Sequence, residues 1–160
     1  MEIVGRFILR FILVPLGGIV AMTVAMLVML AANWAALRTL AHAPPEAQES
    51  WLLALVFSGP VLAFLLSLSF AFSLMAAAVG VLMSETFAIR SWIFHAANGG
   101  LAAWIGWSLT QEMRDEYRFL AEPKIMIAAG LAGGLAYWLV AGWTAGFWKP
   151  ISEKPQPQGA

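Results

Sequence analysis

LLALVFSGPVLAFLLSLSFAFSLMAAAVGVLM, residues 52–83, contains no charged side chain. A helix needs about 20 apolar residues to cross about 30 Å of hydrocarbon, so this stretch reads as a membrane span with length to spare. Gly59-Pro60 offers a kink where part of the excess is absorbed. Ser67, Ser69 and Ser73, with Ala76, Ala77 and Gly80, make its later half rich in small residues, which favours close approach of a neighbouring helix.

Outward from this run toward the N-terminus, residues 38–50 form a polar connector in which Pro44 and Pro45 block helix continuation, flanked by Trp34 and Trp51 as expected at a membrane surface. Before it lies a second apolar run, residues 11–37, interrupted by Pro15, Thr23 and Asn33. Arg6 and Arg10 precede that run as they would in a signal peptide. The apolar core of a cleavable peptide is only about 7 to 15 residues, so the run reads as an uncleaved anchor.

Toward the C-terminus, ETFAIRSWIFHAANGG, residues 85–100, places an acid, a base and a histidine between lipid-compatible segments. A third span follows at 92–109. The charged segment 111–124 repeats Met113, Tyr117 and Leu120 at helical spacing and fits a short surface helix ended by Pro123. An uncharged, Gly-rich fourth span covers 125–148. Residues 149–160, KPISEKPQPQGA, have no means of burying a core and are expected to be a disordered cytoplasmic tail.

The predicted fold is therefore all-α: a polytopic membrane protein, one membrane domain over residues 1–148, with four transmembrane helices in an up-down bundle. Composition agrees, because 61% of residues are hydrophobic and 11% charged, whereas soluble domains carry about 25% charged residues. Arg6, Arg10, Arg90, Lys149 and Lys154 fall on one side, and Arg38, Arg114, Arg118 and Lys124 on the other. The two arginines beside the first span decide the orientation, so both termini are expected in the cytoplasm of a bacterial inner membrane. Zero net charge offers no basic surface for nucleic acid. The absence of cysteine excludes disulfides, thiolate nucleophiles and Cys-ligated metals.

Four residues stand out as candidates for binding: Glu85, Arg90, His95 and Asn98. Glu85 and Arg90 are either an ion pair at the mouth of a pathway or the solvated charges of a short hairpin. A separation of five residues puts them about 140° apart on a continuous helix, so the hairpin reading is the expectation. His42 and His95 fall at opposite membrane faces and cannot share a haem; no cofactor and no metal are expected. Asn98 is expected to bond across a helix interface beside Gly99 and Gly100, and Asn33 to do likewise.

Glycines or alanines four apart form flat strips on a helix, and the pairs Gly130/Gly134, Gly142/Gly146 and Gly99/Ala103 have this spacing. The strips serve either packing within the bundle or contact between copies. No catalytic triad, HExxH, Walker or GxGxxG sequence is present, and every acid lies outside the central parts of the spans. The four-span size resembles that of small multidrug-resistance transporters, but the first span lacks the glutamate on which they depend. The expected function is a non-enzymatic structural or accessory membrane subunit that packs in the lipid bilayer with itself or with a larger complex. The alternative is a transporter or channel component using the Glu85, Arg90, His95 and Asn98 region.

Overall fold

The computed structural model describes residues 2–109 and 122–146, and all their regular elements are helical. They are α1 (Glu2–Ala32), α2 (Trp34–Ala41), α3 (Pro45–Phe87), α4 (Trp92–Ser108) and α5 (Pro123–Val140), followed by a 3-10 turn, Gly142–Thr144. Three segments are long and apolar enough to cross a membrane: Ile8–Ala32, Leu66–Phe87 and Pro123–Val140. The expected count of four is not reached on length, because α4 has 17 residues and is about 26 Å long. The segment 111–121 and the tail 149–160, expected as a surface helix and a disordered end, lie outside the described residues.

Several boundaries differ from the sequence expectation. Pro45 does not hold the chain out of helix; it opens α3, since proline at the first helical position forfeits only an N–H that has no intrahelical partner. The resulting 43-residue helix is about 65 Å long and runs unbroken past Pro60. Pro123 opens α5 in the same way. At its far end α5 stops at Val140, eight residues short of the expected limit of the fourth span, and the chain tightens into the 3-10 turn. Gly142 and Gly146 consequently share no helix face. Asn33 does not bond across an interface either; its side-chain amide donates to the Met29 carbonyl one turn back, at the break between α1 and α2.

Helices pack in the order α1, α5, α4, α3, each against the next. Glycine makes α5 the centre of this row. A side chain at Gly133 would meet the Ala21 carbonyl of α1 at 2.9 Å, while Gly130 and Gly134, on another face, lie against Gly99, Ala103 and the His95 carbonyl of α4. Without side chains at these positions the backbones approach closely, which gives van der Waals attraction where lipid supplies no hydrophobic drive. On the other flank of α4, Asn98 donates to the Ala77 carbonyl of α3 at 3.1 Å and Ser73 of α3 donates to the Ala102 carbonyl at 2.8 Å.

The row does not close. Between α1 and α3 lies a groove of 890 Å³ floored by α4 and α5, with Val14 and Met22 on one wall, Ala77 and Leu82 on the other.

Candidate functional site

A cluster of polar side chains lies where α1 and α4 begin and α3 and α5 finish, beside His95 and Tyr137 of the groove. Arg10 is 8% exposed although its neighbours Leu9 and Phe11 face outward. Its guanidinium donates to the Ala141 carbonyl at 2.7 Å and to the Thr144 hydroxyl at 2.6 Å, and it forms an ion pair with Glu85. The Thr144 hydroxyl in turn donates a hydrogen bond to the Ala141 carbonyl at 3.0 Å. A cation placed on a carbonyl at the end of α5 complements the helix dipole.

Glu85 is thus paired with Arg10, 75 residues away, and not with Arg90. Its second oxygen faces the Gly146 N–H at 3.4 Å. The pair joins α1 to α3 across the end of the groove. Arg90 lies in the turn between α3 and α4, which Ala88 closes in the left-handed conformation at φ 54°. From there its Nε donates to the Ala145 carbonyl at 3.0 Å, and its own carbonyl accepts from the Trp138 indole at 2.8 Å. The solvated-hairpin expectation is corrected for Glu85, which is paired and only part-exposed; Arg90 is an exposed residue of the turn, not paired with Glu85, and its Nε holds the Ala145 carbonyl of the segment after α5.

That segment needs its last glycine. Gly146 has φ +71° and lies against Ala88, so an added side chain would be strained by conformation and obstructed by contact. Gly146→Ala is expected to lower stability by at least about 1 to 2 kcal/mol, the cost of the left-handed region for an ordinary residue. Thermal unfolding in detergent measures it, and an unchanged midpoint would show that the segment does not depend on this turn.

His95, in the first turn of α4, is 1% exposed. Its ring lies edge-on to Phe94 and 5.4 Å, centroid to centroid, from the Tyr137 ring. Gly142 leaves room for it, since a side chain there would come within 2.8 Å of the imidazole. The Nε2 is 3.2 Å from the Ile89 carbonyl, which can only accept, so Nε2 carries the proton. Nδ1 has no partner, nor has the buried Tyr137 hydroxyl. Both residues line the groove. His42 bonds the Arg38 carbonyl beyond the opposite end of α1 and takes no part.

Of the four residues singled out in the sequence, Glu85, Arg90 and His95 meet at this end, whereas Asn98 sits one turn deeper on the α3 interface. Arg10, Tyr137 and Thr144 were missed. The available signal for Arg10 was a cation with apolar neighbours on both sides, Phe7, Ile8 and Leu9 before it and Phe11 and Ile12 after. Comparison with family models, curated proteins and solved structures gives no match.

Proposed function

We propose that the chain is a non-enzymatic integral membrane protein with four spans, α1, α3, α4 and α5, serving as an accessory component that holds a hydrophobic partner in the groove between α1 and α3. The observation carrying this reading is the open row of helices: α1 and α3 stand apart over an apolar floor, and the Arg10–Glu85 ion pair bridges them. The position of α4 between α3 and α5 supports a fourth span despite its length. With both termini cytoplasmic, the Arg10 end of the groove faces inward, in keeping with the arginines beside the first span.

A transporter or channel component is the second reading, favoured by the unpartnered ring nitrogen of His95. Against it, Glu85, Arg90 and Asn98 are each engaged in holding the fold together. Two measurements test the proposal. Reporter fusions after Gln48, Ser84, Glu116 and Gln158 should give cytoplasmic signals only for the second and fourth; a cytoplasmic signal after Glu116 overturns the topology. Native mass spectrometry from a mild detergent should detect a stoichiometric companion, either a second chain or a small apolar molecule, and a bare monomer would overturn the accessory role.

A further inference from the structure

We propose that the groove holds an acyl chain of a membrane glycerolipid whose ester carbonyl accepts a hydrogen bond from Ser69. This rests on the reading of the groove as occupied, and names the occupant. Ser69 lines the cavity at 9% exposure. Ser67, Ser84 and Ser108 each donate to a carbonyl of their own helix and Ser73 donates to the Ala102 carbonyl of α4, but the Ser69 hydroxyl has no partner among the described residues. Nor is it sealed: the unpartnered side-chain atoms shut off from solvent are Arg10 Nε, His95 Nδ1 and Tyr137 Oη. A hydroxyl that is buried, unpaired and reachable is matched in a folded protein by water or by a ligand.

Depth selects the group that Ser69 meets. Its backbone carbonyl lies 3.3 Å from the place where a side chain at Gly106 would begin, and Gly106 is in the last turn of α4, so Ser69 stands level with the helix end remote from Arg10. At about 26 Å α4 nearly matches the thickness of the hydrocarbon, and its end marks the boundary at which glycerolipid ester carbonyls lie. These carbonyls only accept, and Ser69 supplies the proton. From Ser69 to Leu82 the α3 wall is about 20 Å long, and from Val14 to Met29 the α1 wall is about 22 Å. Along that length Ser73 and Asn98 have donated to backbone carbonyls, which leaves hydrocarbon contact as what the walls offer. The volume of 890 Å³ is within the range of about 300 to 1,000 Å³ usual for small-molecule sites. A charged head group needs no place inside, since it stays at the membrane face. Because the row of helices does not close, a lipid chain enters between α1 and α3 without leaving the bilayer.

The test uses the full chain in dodecyl maltoside micelles, titrated with a phosphatidylcholine that carries a diazirine at the end of one palmitoyl chain. Photolabelling should saturate and should mark Val14 and Leu82, at the end of the groove away from Ser69, rather than Met29 and Leu66. Ser69→Ala should raise the half-saturating lipid concentration about two- to tenfold, the worth of one hydrogen bond, with the thermal midpoint in lipid-free micelles unchanged. Ala78→Trp, at an exposed position on the groove wall, should abolish the saturable labelling. An equal half-saturation in Ser69→Ala overturns the lipid site and leaves the groove reading intact; this is also the result if the hydroxyl bonds water or turns back onto its own helix. Labelling at Met29 and Leu66 instead, or a companion of protein mass that excludes the lipid, has the same consequence. Labelling that never saturates, or that survives Ala78→Trp, overturns the lipid site, and a bare monomer by mass then overturns the groove reading as well. A lowered midpoint for lipid-free Ser69→Ala overturns the site by showing that the hydroxyl is used in the fold.

Discussion

Glu85→Gln is expected to cost the folded protein about 3 to 5 kcal/mol, because it removes the only carboxylate paired with a buried guanidinium among the described residues. The side chains of Arg10 and Glu85 are 9% and 16% exposed, so water cannot repair the loss as it does for a surface pair. The stranded cation would also pull on the Ala141 carbonyl and the Thr144 hydroxyl, which it bonds at the end of α5. Replacing both partners with apolar residues, Arg10→Met together with Glu85→Leu, should recover most of the stability, since a buried pair is of little net benefit over well-packed hydrophobes.

A double-mutant cycle in detergent locates the partner. Arg10 and Glu85 should show a coupling of about 2 kcal/mol or more, whereas Glu85 and Arg90 should be additive within about 0.5 kcal/mol. If the larger coupling belonged to Arg90, the bridge between α1 and α3 would be the wrong description of this end. The Arg10–Glu85 pair also links α1 to α3, so the double apolar variant tests whether a bridge without charge keeps the two helices in place.

The membrane helices were legible in the sequence because a long uncharged run has few other physical solutions. Composition alone marks residues 52–83 and 11–37 as apolar runs, and the segments long and apolar enough to cross a membrane are Leu66–Phe87 and Ile8–Ala32. The limits of the helices were less legible, since a proline stops a helix that arrives at it and starts one that leaves it, and the sequence does not say which; Pro45 and Pro123 both begin helices. The end of α5 was hidden for another reason. Gly142, Trp143 and Thr144 are as lipid-compatible as the span before them, and only the tertiary partners Arg10, Glu85 and Arg90 reveal why the backbone turns there.

The site was half legible. Glu85, Arg90 and His95 are conspicuous because they interrupt apolar sequence together, and the structure brings them to one end of the groove. Their partners were not legible by spacing, because spacing within one segment measures only local geometry. The cation that neutralises Glu85 comes from α1, and the aromatic ring beside His95 comes from α5, where Tyr137 looks like any interfacial aromatic.

Gly134→Ala, a change of one methyl group, is expected to be among the most damaging small substitutions in the chain. The added Cβ would lie 2.9 Å from the Ala96 Cα and the His95 carbonyl carbon, and closer still to the His95 carbonyl oxygen. These are backbone atoms of α4, which cannot rotate aside as a flexible side chain can, so α4 and α5 must separate. Overpacking of this kind costs about 1 to 3 kcal/mol, and the shift moves the floor of the groove together with the His95 ring. Leucine at both Gly130 and Gly134 should separate the helices outright while leaving insertion intact, because hydrophobicity rises as packing is lost. Gly18→Ala supplies the control: nothing lies within 4 Å of the position its methyl would take, so it should be neutral or stabilising by up to about 1 kcal/mol through helix propensity alone. Thermal unfolding of the three variants in one detergent distinguishes a steric strip from a merely Gly-rich helix. If Gly134→Ala matched Gly18→Ala, α4 and α5 would not be in backbone contact, and the row of helices that floors the groove would lose its central joint.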